Sequence, residues 1–150
     1  MQIQLLSTLT PSQITDVLSL MRELSPETRL TAQNIQEAVS TAGTRFFAAT
    51  DDAGHIVGCA SLCVFCSPTG RKASVEDVVV SQSARGQGLG RRLMEHLLEY
   101  ACRELTDVDL HLTSRPHRVA ANELYRSLGF KLRETNTYRL KIRGGKLEKE

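Results

Sequence analysis

Residues 76–90, EDVVVSQSARGQGLG, decide the fold of this 150-residue chain. The segment begins in a strand-like run whose end, Val78 to Val80, is apolar on both faces and therefore predicts a central strand. It closes on a glycine-rich run, Arg85 to Gly90, directly before a helical pattern. Glycines leave the backbone N–H groups at a helix N-terminus accessible, and the helix dipole favours an anion there. The segment thus predicts a strand, an anion-binding turn and a helix, in that order.

The elements that surround this segment alternate between helices and strands. Apolar residues recur every four positions from Leu89 to Leu105, which predicts a helix. Thr10 followed by Pro11 predicts the start of an earlier helix. The predicted strands are 2–7, 45–51, 55–66, 73–80, 108–113, 130–134 and 137–142, and the predicted helices are 11–24, 31–41, 88–104 and 116–128. This order predicts a mixed α/β fold with a βαβ crossover in its second half.

The charge of the chain is balanced overall but uneven along it. Nineteen Lys and Arg against seventeen Asp and Glu give +2, which is too small for a protein that wraps nucleic acid. Residues 1–75 carry a net charge of −1, and residues 76–150 carry +3. Residues 115–143 hold eight basic and two acidic side chains, so phosphate recognition in this half is not excluded by the overall charge.

Size and composition indicate one globular domain. A length of 150 residues is usual for a single domain, and 41% hydrophobic with 24% charged residues is unlike a disordered chain. The first ten residues lack the features of a signal peptide, and no apolar run approaches the roughly 20 residues of a membrane span. We therefore expect a cytoplasmic protein that binds neither membrane nor nucleic acid.

The four cysteines, Cys59, Cys63, Cys66 and Cys102, allow two interpretations. The spacing Cys63-x-x-Cys66 is compatible with zinc or redox chemistry. A structural zinc site needs four ligands, however, and no second pair follows. Three of the four lie in one apolar strand-like run, where small buried thiols are common. We expect no metal.

Two segments together resemble the GNAT superfamily of N-acetyltransferases. Arg85, Gly88 and Gly90 match that family's Gln/Arg-x-x-Gly-x-Gly/Ala motif. Residues 121–130, ANELYRSLGF, are similar to the family's A-x-x-x-Y-x-x-x-G-F segment, in the expected order and at roughly the expected spacing. The resemblance is clear from about residue 74 to 142, whereas residues 1–70 agree only in element order.

The resemblance implies an architecture. It implies a single domain over 1–150, with an acceptor-side half at 1–70, an acetyl-CoA-binding half at 73–142 and a solvated tail at 143–150. It further implies a mostly antiparallel, twisted sheet of six or seven strands with about four helices. The fourth and fifth strands would separate from each other in a V, and this opening would receive acetyl-CoA.

The resemblance also implies which residues bind acetyl-CoA. Its pantetheine arm would pair with the backbone of Val78 and Val80, and Asn122 would contact that arm. The N–H groups from Arg85 to Gly90 would hold the pyrophosphate, and the Val79 N–H would stabilise the oxyanion. The cofactor-binding residues are thus Val78, Val79, Val80, Arg85, Gly86, Gln87, Gly88, Leu89, Gly90, Asn122 and Tyr125.

Acetyl transfer to an amine needs a base and an acid. An alkylamine of pKa about 10 is only about 0.1% neutral at pH 7, so a base helps to deprotonate it. Successive strand residues point to opposite faces, so only one of Glu76 and Asp77 can face the acceptor. The resemblance implies that it is Glu76, because family members with a similar E-D-V-V-V run place a carboxylate there. Asp77, His111, His117 and water are alternatives, and Glu76 could instead pair with a surface arginine. Tyr125 is the candidate acid for the departing thiolate, the alternative being a tyrosine that only packs.

The acceptor is the least defined part of the sequence-based prediction. Arg115 and Arg118 could bind the cofactor's 3′-phosphate or an anionic amine, or could simply be solvated. The leading hypothesis is an acetyl-CoA-dependent N-acetyltransferase that acts on a small primary amine by direct transfer. A protein or peptide N-acetyltransferase and a non-catalytic acyl-CoA sensor are the alternatives. Edge strands near the C-terminus also make a homodimer an expectation.

Overall fold

The computed structural model describes residues 1–148 and confirms a mixed α/β fold. Its elements are β1 Gln2–Leu6, α1 Pro11–Leu24, α2 Ala32–Ser40, β2 Thr44–Thr50, β3 Ile56–Ser67, β4 Gly70–Val80, a 3-10 turn Gln82–Ala84, α3 Leu89–Glu104, β5 Leu110–His111, α4 Val119–Ser127, β6 Lys141–Arg143 and β7 Lys146–Glu148. Within these residues, no helix is long and apolar enough to cross a membrane.

The chain forms two compact units, Met1–Arg115 and Pro116–Glu150. The first holds a sheet in the order β1-β2-β3-β4-β5, antiparallel except for the parallel β4–β5 pair. Because α3 joins β4 to β5, this is the predicted βαβ crossover. The sheet has five strands instead of six or seven, since β6 and β7 pair with each other in a second sheet. The prediction of one domain over 1–150 stays a prediction.

Helices cover both faces of the five-stranded sheet. Leu20 of α1 and Val39 of α2 belong to one buried cluster with Cys59 of β3. On the opposite face, a Cβ built on Gly58 would lie 3.2 Å from the Leu93 side chain of α3. Neighbouring strand residues point to opposite faces, so α3 packs on the side away from α1 and α2. The core therefore lies in two layers, and β4 runs between them.

Local capping explains where the first two helices begin. Thr10 accepts a hydrogen bond from the Gln13 N–H, and the Gln13 side chain accepts one from the Thr10 N–H. Thr31 and Asn34 form the same capping box at α2. Such boxes satisfy backbone donors that have no partner within the helix. The start predicted from Thr10-Pro11 is confirmed.

The second unit differs from its prediction. Strands were predicted at 130–134 and 137–142, whereas the observed hairpin pairs β6 with β7 around Gly144 and Gly145. Both glycines have positive φ, 54° and 75°, which matches the twist that a tight hairpin needs. The predicted tail at 143–150 is therefore the end of β6, the glycine turn and β7 as far as Glu148. Residues 149–150 lie outside the described part of the chain.

Candidate functional site

The pairing between β4 and β5 is confined to their beginning. Ala73 pairs with Leu110 and Ser74 with His111, and β5 then ends, whereas β4 continues to Val80. The predicted separation of the fourth and fifth strands therefore begins after Ser74. A strand whose neighbour ends early can accept an extended ligand along that edge. The residues predicted to pair with pantetheine, Val78 and Val80, belong to this part of β4.

A β-bulge interrupts β4 in front of these valines. Ser61 of β3 pairs with Glu76, and the next register pair is Cys59 with Val79. Asp77 and Val78 thus lie together opposite a single β3 residue. Asp77 has φ 53°, a left-handed conformation that Asp tolerates better than most residues with a side chain. The bulge bends the strand and changes the direction of the side chains at this point.

The bulge interrupts the regular alternation of side chains between Glu76 and Val79. Burial raises the pKa of the Cys63 thiol, and the charges of Glu76 and Asp77 raise it further. Burial also raises the pKa of Cys59, to which Asp77 contributes as well. Asp77 thus acts on both thiols, and Glu76 acts on Cys63. The expectation that only one of the two carboxyl groups faces the acceptor side stays a prediction.

The two carboxyl groups have different surroundings. The Ser74 hydroxyl donates a hydrogen bond to the exposed Glu76 carboxylate. Partial burial and the neighbouring Glu76 charge raise the pKa of Asp77. A carboxylate with a raised pKa accepts a proton more readily at neutral pH. Together they form a pair of candidate bases, one oriented by Ser74 and one made more basic by its surroundings.

The glycine-rich turn has a left-handed backbone at two of its glycines. Gly86 and Gly88 have φ 77° and 71°, and Gly88 is the N-cap of α3. A Cβ built on either glycine would meet no atom within 4 Å, so the left-handed backbone, not lack of space, explains the glycines. Leu89 and Gly90 then form the first turn of a 16-residue helix. Its N-terminal N–H groups and dipole fit an anion.

Arg85 links this turn to two other elements. Its Nε donates to the Val80 carbonyl oxygen at 3.0 Å, at the end of β4. Its terminal nitrogen lies 3.2 Å from the carboxylate of Glu23 on α1. Glu23 also accepts a hydrogen bond from the Gln82 N–H at 3.0 Å. Sequence reasoning missed Glu23, because a contact between residues 62 positions apart leaves no local pattern.

The second unit contains Asn122 and Tyr125 on α4, three residues apart and therefore on one side of the helix. The Asn122 amide donates to the Arg118 carbonyl oxygen at 3.0 Å. Tyr125 is buried, and its ring meets Phe130 edge to face at 6.1 Å. Burial raises the pKa of Tyr125, while the nearby Arg118 lowers it. A tyrosine with a raised pKa stays protonated at neutral pH and can donate a proton.

The remaining candidates are distributed between the units. His111 is exposed on β5 and pairs with Ser74, whereas His117 is exposed just before α4. Arg115 ends the first unit, and Arg118 is the N-cap of α4. All four cysteines are free. In residues 1–148, no group of three or more His, Cys, Asp or Glu side chains is arranged to hold a metal ion.

A family model described as an acetyltransferase (GNAT) domain matches residues 42–132. The match begins just before β2 and ends after α4, in the second unit. It includes the bulged strand and the glycine-rich turn.

Individual proteins resemble the chain to different extents. Glucosamine 6-phosphate N-acetyltransferase 1 from rice is 32% identical over 104 residues, which cover 61% of this chain and 63% of the rice protein. The chain thus spans less than two thirds of that relative. A Trypanosoma brucei acetyltransferase structure is 28% identical, with TM-score 0.73 and coverage of 94% of this chain and 99% of that one. A putative acetyltransferase from Agrobacterium tumefaciens shares the fold at 24% identity, with TM-score 0.76 and coverage of 95% and 99%.

Proposed function

The chain belongs to the GNAT acetyltransferase family and is an acyltransferase, and on this premise we propose that it transfers acetyl from acetyl-CoA directly to a primary amine of a small molecule. The observation that carries the proposal is the layout of β4. β4 carries two carboxyl groups at its bulge. Its last residues are valines on an edge that does not pair with β5 after Ser74, and the glycine-rich turn follows the strand.

The residues of the first unit fit acetyl-CoA, which supplies an activated acetyl thioester when bound. Val78 and Val80 would pair with the pantetheine amides along β4. The N–H groups from Arg85 to Gly90 would hold the pyrophosphate, helped by the left-handed glycines that open α3. Leu89 is buried and anchors the turn to the core.

The carboxyl pair would prepare the amine. An ammonium group binds near Glu76 and Asp77 by charge attraction and gives its proton to one of them, directly or through water. The neutral nitrogen would then form a C–N bond to the acetyl carbon as the C–S bond breaks. The acylated nitrogen would lose its second proton to water, and Tyr125, after protonating the sulfur, would recover its proton from water. We keep Glu76 as the base, since the Ser74 hydroxyl orients its carboxylate. Asp77, which lies at the bulge, stays the alternative base.

Tyr125 would protonate the leaving sulfur. A tyrosine hydroxyl, with an ordinary pKa of about 10, is protonated at neutral pH. The packing of Tyr125 against Phe130 fixes its ring. Asn122 would contact the cofactor arm from the same side of α4. We assign no cysteine a covalent role. Burial raises the pKa of the Cys59 and Cys63 thiols, which disfavours the reactive thiolate at these two positions.

The acceptor class is drawn from two observations. The rice relative is named for an amino sugar phosphate, which is a small primary amine that carries an anion. The segment 115–143 of this chain has a net charge of +6, which favours an anionic amine over a polycation. We therefore place small anionic amines, such as amino sugar phosphates and aminophosphonates, first among the acceptors.

A panel of amines with coenzyme A release as the readout tests this function. Acetyl-CoA is incubated with amino acids, amino sugars, amino sugar phosphates, polyamines and aminophosphonates, and the free thiol is measured. We expect release with a subset of the small amines. Acetylation of peptides alone, detected by mass spectrometry, would favour a protein acetyltransferase. Thermal stabilisation by acetyl-CoA without thiol release would favour a sensor; ligand at 100 times its Kd adds about 2.7 kcal/mol to stability.

A further inference from the structure

One side chain connects α1 to the turn that follows β4. A single carboxylate oxygen of Glu23 accepts a hydrogen bond from the Gln82 N–H at 3.0 Å and lies 3.2 Å from the Arg85 guanidinium. Arg85 in turn donates from Nε to the Val80 carbonyl oxygen at 3.0 Å. The contacts therefore join three elements: the end of α1, the end of β4 and the start of the glycine-rich turn.

The helix that carries Glu23 is itself firmly held. Val17, Leu20 and Met21 are buried in the core, and a capping box closes the helix start. Glu23 is the next-to-last residue of this helix, so its carboxylate projects from a fixed support. Arg85 is held from two sides, whereas Gly86 and Gly88 just after it have the backbone freedom of glycine. The side-chain contacts with Glu23 and the Val80 carbonyl thus end at Arg85, directly before the glycines of the turn.

We propose that Glu23 is a positioning residue for the cofactor, which fixes the Gln82 peptide and Arg85 so that the N–H groups of the following turn are ordered before a diphosphate binds. The proposal rests on the proposed function, since it assumes that the turn binds acetyl-CoA. Ordering a binding loop in advance increases affinity, because less conformational entropy is lost when the ligand binds. Glu23 would act on cofactor affinity and leave the chemical step unchanged.

The direction in which coenzyme A affinity changes when Glu23 is replaced distinguishes a positioning role from simple charge repulsion. Glu23 is negative, and so is the diphosphate. If Glu23 acted only as a nearby charge, its removal would reduce repulsion and strengthen coenzyme A binding. Positioning predicts the opposite, because Arg85 and the Gln82 peptide lose their support. A decrease in affinity on removing a negative charge is therefore specific to a positioning role.

Calorimetric titration with coenzyme A tests the proposal on Glu23→Gln, Glu23→Ala and the control Glu27→Gln, which removes the same charge from an exposed residue nearby. We expect Glu23→Ala to weaken binding about three- to tenfold. Glu23→Gln should lose less, because its amide oxygen can still accept from Gln82. The control should bind as tightly as wild type or slightly more tightly. In both Glu23 variants kcat should stay within about twofold while KM for acetyl-CoA rises.

The cofactor-free melting temperature completes the test. It should hardly change in the Glu23 variants, since the ion pair is partly exposed, with 36% of the Glu23 side chain accessible. Unchanged or tighter coenzyme A binding by both variants would overturn the proposal, as would a lower kcat at unchanged KM. Wild-type protein that binds no coenzyme A would instead contradict the proposed function, and the positioning role with it.

Discussion

The Ser74 hydroxyl donates a hydrogen bond to the carboxylate of Glu76, two residues further along β4. The pair lies where β4 and β5 part, because Ser74 is the last β4 residue that pairs with β5. A carboxylate held in this way keeps one orientation, and a general base needs a fixed position relative to the proton it accepts. The contact favours Glu76 as the residue that prepares the amine.

Replacement of Glu76 tests the base. Glu76→Gln keeps the size of the side chain and its contact with Ser74 but cannot take a proton at neutral pH. We expect kcat to fall about 10²- to 10⁴-fold with little change in KM for acetyl-CoA. The control Glu37→Gln changes the same charge on the exposed surface of α2. Full activity of Glu76→Gln would assign the proton transfer to Asp77, a histidine or water.

Asp77 gives a prediction about stability and pH. Its raised pKa means that the folded protein holds this proton more tightly than the unfolded chain does. Stability is therefore lost as pH rises from the ordinary Asp value of about 4 through the raised pKa. Asp77→Asn, which tolerates φ 53°, removes this loss.

Urea unfolding of Asp77→Asn and wild type at several pH values measures the effect. The variant should be more stable than wild type at pH 7, and the difference should shrink toward pH 4. A variant that is less stable than wild type at pH 7 would show that the carboxylate contributes favourable contacts that outweigh its burial.

Tyr125 is tested by removal of its hydroxyl alone. Tyr125→Phe keeps the edge-to-face contact with Phe130, so the fold should be retained. We expect a lower kcat and nearly unchanged coenzyme A affinity, because the ring and its packing stay while the hydroxyl is lost together with its hydrogen bond to Arg118. The measurement is steady-state kinetics from about pH 6 to about pH 9. Turnover equal to that of wild type at every pH would contradict the acid role.

Gly88 is predicted to matter for its backbone. Gly88→Ala forces a residue with a Cβ to adopt φ 71°, at a cost of about 1–2 kcal/mol. Gly54→Ala is the matched control, since Gly54 has φ 87° in the β2–β3 turn, and a Cβ there also meets no atom within 4 Å. Both variants should lose similar stability on thermal unfolding. Only Gly88→Ala should also raise KM for acetyl-CoA, and equal KM values would contradict a cofactor role for the turn.

The sequence predicted those helices and turns whose structure depends on residues close together in the chain. The four-residue spacing from Leu89 to Leu105 predicted α3, observed as Leu89–Glu104. Thr10-Pro11 predicted the start of α1, because a cap depends on residues within one turn. The turn between β4 and α3 was predicted for the same reason, since its glycines are neighbours in the sequence. The left-handed backbone at Gly86 and Gly88 was found only in the structure.

Features that depend on pairing across the chain could not be predicted. The bulge at Asp77 follows from the β3–β4 register, which regular alternation along β4 does not reveal. The contact between Glu23 and Arg85 exists only once α1 packs on the sheet. Gly144-Gly145 was a local signal for a hairpin, but the polar residues around it indicated a tail instead.

Competition between two classes of acceptor distinguishes acetyl transfer to a small amine from transfer to a peptide. The protein is incubated with acetyl-CoA, a mixture of small primary amines and an equal amount of mixed peptides, and all products are identified by mass spectrometry while thiol release is measured. We expect one acetylated small amine for each coenzyme A released, and loss of both signals in Glu76→Gln. Acetyl groups on peptides alone, or coenzyme A binding without transfer to any amine, would contradict it.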